Sequence, residues 1–210
     1  MKKHFLSLVI AIIFCVSFAK AQTAEVTISL NEPFFDAFLE AMFTNLKQPD
    51  FKLSETENED CVEKIKLERE MNGVKTAVKF KNGKIFAPIA FTGSYKAPLI
   101  GCLDFKGWAE ANVELEFDQA KQTLFGRANV KNVQLNNVPS FAGSVVAKLL
   151  QGSIDKKINP VEILNAEKLN FLVPVAVAQG NLNLKAKSMR HEIINNSLNV
   201  AIMYEFVKAP

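Results

Sequence analysis

The sequence predicts an α+β domain in which one long antiparallel sheet packs against two amphipathic helices. Three observations predict it. Residues 103–117, LDFKGWAEANVELEF, place apolar or small residues at every odd position and, Trp108 apart, polar ones at every even position. That period of two marks a strand with one dry and one wet face. At about 3.3 Å per residue it would span on the order of 50 Å, far beyond the common strand of ~5–6 residues. Second, the same alternation recurs along most of the chain after Cys61. Third, two stretches, 31–46 and 139–158, switch to helical period.

The N-terminus reads as a leader. Lys2 and Lys3 precede an apolar run from Phe5 to Phe18, and Ala19-Lys20-Ala21 is a small-x-small cleavage signal. The apolar core is too short for a convincing membrane span, so residues 1–21 are expected to be a signal peptide and 22–210 one exported domain, periplasmic or extracellular. The leader holds Lys2, Lys3 and Lys20 and no acid, while the whole chain has 25 Lys+Arg against 22 Asp+Glu. The mature chain is therefore near neutral. It shows no basic patch with interleaved aromatics, and nucleic acid is not an expected partner. Cys15 leaves with the leader. Cys61 and Cys102 would then meet an oxidising compartment, where an isolated pair most simply forms a disulfide; two buried free thiols are the alternative.

In chain order, a short strand at 26–30 leads into a helix. Asn31 is a capping residue, Pro33 suits the first turn, and Phe34, Phe35, Phe38, Leu39, Met42, Phe43 and Leu46 recur at helical spacing until Pro49. This pattern predicts a core helix under the sheet; a helix that also lines a ligand cavity or touches a membrane is the alternative. Residues 48–60 are polar and acidic and read as a surface loop; Glu55, Glu57, Glu59 and Asp60 lack the ligand spacing and turn glycine of a calcium loop. Strand patterns follow at Ile65 and Leu67, at Val74 to Phe80, and at Ile85 to Phe91, with turn signals at Asn72-Gly73 and Asn82-Gly83. Pro88 and Pro98 predict an edge strand or a broken one.

After the long strand, a turn at 118–122 precedes Leu124, Gly126, Ala128 and Val130. The apolar phase then slips to Val133 and Leu135, which either a β-bulge near Lys131-Asn132 or a strand end explains. The second helix carries Val145, Val146, Leu149, Leu150 and Ile154, and Asn159-Pro160 stops it. Three further strand patterns cover 169–177, 182–186 and 198–206, with turn signals at Gln179-Gly180 and Asn195-Asn196.

Material for catalysis is scarce. His191 is the only histidine after the leader, and its neighbours MRHEII suit a solvated loop or strand end. GxSxG, P-loop, GxGxxG and HExxH patterns are absent, and one histidine cannot form a two-histidine metal pair. Asp104, Glu110, Glu114, Glu116 and Asp118 all fall on the wet face of the long strand, where solvation accounts for them. Trp108 is the one large apolar side chain on that face, suited to covering a loop or strand or to touching a partner. Neither catalytic residues, a metal site nor a cofactor is expected.

The helix after a short strand, the long strand 103–117, the helix ending IDKKINP and the closing NSLNVAIMYEF together resemble the tubular lipid-binding superfamily, which includes SMP-like and small bacterial periplasmic domains. The resemblance implies a long, curled antiparallel sheet wrapped around the two helices, and one disulfide tying sheet to an adjoining element. It further implies binding or transfer of a lipid or other apolar small molecule in a tunnel between the sheet and the helices, with transient membrane contact. Face and spacing nominate Phe34, Phe38, Met42, Phe105, Gly107, Ala109, Val113, Val145 and Leu149 as lining residues. The same alternation fits a solid-cored envelope protein acting through protein contacts, because burial yields roughly 25 cal/mol per Å² whichever apolar partner covers the face.

Overall fold

The computed structural model describes residues 22–53, 61–97, 101–136, 138 and 142–209. The expected signal peptide, the acidic stretch 54–60, Pro98 and the expected helix start at Pro139-Ser140 lie outside the described residues.

Two antiparallel sheets, both curled, dominate the fold. The smaller has the order β1 (Thr23–Asn31), β13 (Ser197–Lys208), β12 (Gly180–Ile194), β11 (Phe171–Val175). The larger runs β10 (Val161–Asn165), β9 (Thr123–Asn136), β8 (Gly101–Asp118), β7 (Lys84–Ala97), β3 (Lys64–Glu68), β2 (Asp50–Lys52), with β6 (Lys79–Lys81) also on β7. A small hairpin, β4 (Glu70–Met71) with β5 (Val74–Lys75), lies beside β7 and β8. The two helices are α1 (Glu32–Asn45) and α2 (Ala142–Lys157).

β8 is the spine. It is 18 residues long and pairs with β7 over residues 101–113 on one side and with β9 over residues 106–118 on the other. Its dry side chains serve two cores. Phe105 and Ala109 join Ile65, Phe91, Val146, Leu150 and Ile154 beneath α2. Val113, Leu115 and Phe117 pack instead against the cluster of Ile85, Leu124, Leu198, Val200, Ile202 and Tyr204, where the smaller sheet covers the larger. One alternating strand is thus buried by a helix at one end and by a sheet at the other.

Glycine permits two close approaches on this spine. A Cβ on Gly107 would lie 2.0 Å from the backbone oxygen of Gln134 in β9, and one on Gly93 would lie 2.5 Å from the Phe105 ring. The Phe105 ring occupies the space that a side chain on its cross-strand partner Gly93 would fill.

The apolar phase slip in β9 is a bulge: Glu110 pairs with Asn132 and Ala111 with Val130, leaving Lys131 as the extra residue. Beyond the reach of β10, the outer backbone of β9 is satisfied by side chains. Asn159 accepts from Ala128 N–H and donates to its carbonyl, at 2.8 and 2.9 Å, and Gln151 accepts from Val130 N–H at 2.7 Å. These bonds pin the C-terminal half of α2 to the sheet.

Several expectations need correction. The strand at 84–97 is neither an edge nor broken at Pro88; its neighbour is interrupted instead, between β6 and β3. Pro88 accepts from Ala77 N–H, so its missing donor points into that gap and away from β8. The single strand expected over 74–80 is split, because the Thr76 hydroxyl donates to Glu68 O and accepts from Ala90 N–H, standing in for a backbone partner. Within the stretch read as loop, Asp50–Lys52 pairs with β3 and buries Phe51. β10 had no sequence signal strong enough to name it. The turns are as read: Asn72-Gly73, Asn82-Gly83 and Asn195-Asn196 all have positive φ at both residues, as primed hairpin turns require.

Candidate functional site

The nine nominated lining residues do not converge. Phe105 and Ala109 are buried in one cluster with Val146 and Leu150 of α2, with Leu149 packed alongside. Gly107 is buried too, but its missing side chain admits the β9 backbone. Val145 is half-buried on α2, and Val113 belongs to the other core. Phe34, Phe38 and Met42 lie on α1, apart from both groups.

α1 differs most from its expected place. Its start is well specified: Asn31 Oδ1 accepts from Phe34 N–H at 3.0 Å and Pro33 sits in the first turn. Yet none of its residues is buried. Phe35 reaches the Phe80 ring at a centroid distance of 6.0 Å, at the margin of the core beneath the smaller sheet. Phe34 is 49 % and Phe38 58 % exposed, and Leu46 beyond the helix end is 65 % exposed. Val26 of β1 is also exposed. The core-helix expectation fails for α1 because periodicity reports that a face is apolar and not what covers it.

Charge, by contrast, holds α1 in place. Arg69, its side chain only 18 % exposed, donates to Asp36 and Glu40 on successive turns, and to Thr76 O at the base of the β4–β5 hairpin. Glu32 accepts from Lys79 Nζ at 2.9 Å and from Phe80 N–H at 2.8 Å. An open cleft of about 690 Å³ lies between the helix start and the hairpin, bounded by Pro33, Asp36, Glu70, Val74, Lys75 and Pro88. The sequence offered no signal for Arg69, since its partners lie 29 and 33 residues away.

The Lys79 ammonium and the Phe80 N–H hold Glu32 below its ordinary value of 4.5, and the Arg69 guanidinium holds Asp36 below 3.8. A depressed carboxylate pKa adds stability above the unfolded value and loses it as pH falls through the folded one. Protection of α1 amides, taken as the exchange rate relative to the unfolded-chain rate at the same pH, is therefore expected to be high at neutral pH and to fall below about pH 4, before that of the core strands. Arg69→Ala should produce the same loss of protection at pH 7. Unchanged α1 exchange in that variant would mean that apolar contacts, not charge, hold the helix.

His191 lies within β12 opposite Val200, rather than in a loop. Trp108 is half-buried on the wet face between Ala90 and Gln134, on the side where the β4–β5 hairpin lies. Among the described residues, no group of three or more His, Cys, Asp or Glu is placed to hold a metal ion. Cys61 and Cys102 are bonded, with Cα atoms 5.4 Å apart. No described helix is long and apolar enough to cross a membrane. The chain matches no known family model and no curated protein sequence.

Proposed function

We propose that the protein is an exported, non-enzymatic binder of a lipid or other apolar small molecule, in the manner of the tubular lipid-binding proteins it resembles. The observation that carries this reading is α1, a helix with a strong apolar face and no buried residue. Fully burying a Phe or Leu side chain is worth about 1.5–3 kcal/mol, so Phe34, Phe38 and Leu46 leave a substantial gain unrealised. An acyl chain or the apolar part of a bilayer laid along this face would realise it. The ion pairs through Arg69 and Glu32 keep the helix seated while that face stays open. The leader-like residues 1–21 and the disulfide support export.

Protein lacking lipid on extraction from its natural host, and taking up no fatty acid after delipidation, would overturn this reading. In the same assay Phe34→Ser/Phe38→Ser is expected to reduce fatty-acid uptake at least about tenfold, the equivalent of ~1.4 kcal/mol. Its unfolding midpoint should stay close to that of the parent, because neither ring is buried.

One feature favours a second reading, an envelope protein acting through protein contacts. β11 is an open edge whose Phe171, Leu172 and Val173 are exposed, and the turn after it leaves Val177 98 % exposed. Exposed apolar edges template strand addition. Concentration-dependent association abolished by Leu172→Lys, with no lipid uptake, would select this reading.

A further inference from the structure

We propose that the outer face of the larger sheet carries an anion site for a phosphate group, in a trough over Thr92 and Ser94 walled by Lys66 and Lys64 on β3 and Lys106 on β8. It stands independently of the apolar-ligand reading, which concerns a different surface.

Strand register builds the trough. Thr92 of β7 is directly opposite Lys66 on one side and Lys106 on the other, and Ser94 is opposite Lys64 and Asp104. The middle strand thus contributes small side chains, while both flanking strands contribute long basic ones. Adjacent strands lie about 4.8 Å apart, so Lys66 and Lys106 arise roughly 10 Å apart with a hydroxyl between them. Long flexible ammonium groups at that spacing can converge on one tetrahedral anion. The space they bound is a concavity of about 410 Å³ that reaches the backbone at Gly93 and extends to Asn136 of β9. It exceeds what one phosphate needs and leaves room for an attached group.

The floor is preorganised. Thr92 donates its hydroxyl proton to Glu68 at 2.8 Å and Ser94 donates to Val62 O. With these protons committed, binding must come from the ammonium groups and the Asn136 amide. Neither Lys64 nor Lys106 has an ion-pair partner among the described residues, and Lys66 is held only loosely, 3.9 Å from Glu68. Asp104 opposes an anion at one corner; Glu68 keeps its charge while accepting from Gln48 and Thr92, and is offset by Lys66. The arrangement favours an anion that sits toward Lys66 and Lys106 and away from Asp104.

Phosphate could arrive free or as a lipid head group, and the test separates the two. The disulfide-bonded protein is titrated with inorganic phosphate by calorimetry. It is also sedimented with vesicles of phosphatidylcholine alone and of phosphatidylcholine with phosphatidylglycerol. Lys66→Gln/Lys106→Gln should weaken binding at least about tenfold, the loss expected on removing charged hydrogen-bond donors. Lys66→Arg/Lys106→Arg should retain binding, Lys84→Gln at the far end of β7 should leave it unchanged, and Asp104→Asn should strengthen it. Saturable phosphate binding with this pattern supports a free phosphate ligand; binding only to the phosphatidylglycerol vesicles with the same pattern supports a head group. Absence of saturable binding to either probe, or equal binding by the glutamine variant and the parent with unchanged melting curves, overturns the proposal.

Discussion

Replacing both Cys61 and Cys102 with alanine is expected to lower the stability of the oxidised protein by about 4 kcal/mol, the chain-entropy value for a loop of this size. The two residues are 41 apart in sequence and clip the chain leading into β3 to the start of β8. Between them lie β3, β6 and β7, which belong to one side of the larger sheet, and the separate β4–β5 hairpin. Without the bond that segment would be free to diffuse far from β8 in the unfolded chain, and closing it would fall to strand pairing alone. Denaturant unfolding of the double variant beside the parent measures the difference. A loss below ~1 kcal/mol, or a parent whose midpoint ignores reductant, would show that the protein does not rely on the bond.

The second large effect belongs to Leu150→Ala. Leu150 is fully buried beneath the larger sheet, in one cluster with Phe105, Ala109, Val146 and Ile154. Truncation removes apolar contacts and leaves a void that the stiff strands β7 and β8 cannot close, so the loss should be about 3 kcal/mol within the usual 2–5 range. For a chain of this size that lowers Tm on the order of 10 °C. The void would sit within that cluster, and an apolar cavity of that kind stays dry and takes up small apolar molecules. Xenon or benzene binding gained by Leu150→Ala and absent from the parent would confirm that α2 fills this space in the native protein. Phe38→Ala, on the exposed face of α1, should change stability by under ~0.5 kcal/mol. The contrast between the two helices is itself a test, since both carry apolar faces in the sequence.

That contrast also locates the limit of sequence reading. Alternation across 103–117 identified the central strand and its dry face, because side chains in a strand alternate by geometry whatever packs on them. Asn-Gly and Asn-Asn pairs placed three hairpin turns, since positive φ at both turn residues excludes most other residues there. The phase slip after Val130 fitted a bulge near Lys131-Asn132 and a strand end equally, and only the register with β8 decided for the bulge at Lys131. Asn31 and Pro33 marked the start of α1 through local backbone requirements alone.

What remained for the tertiary structure was which surface meets which. The helix richer in phenylalanine, α1, is the one with nothing buried, while the Val- and Leu-bearing α2 lies against Phe105 and Ala109. Both have the same period, and an apolar stripe has the same pattern under a sheet, a lipid or water. The division of strands between two sheets was equally hidden, because hydrogen-bond partners leave no mark on alternation. So were Arg69 with Asp36 and Glu40, and Lys66 and Lys106 across Thr92, whose proximity depends on register between segments far apart in the chain. Local geometry, written residue by residue, was determined by the sequence itself; the pairing of faces and charges over long separations was decided only when the sheets closed, because burial free energy depends on area and not on which partner supplies it.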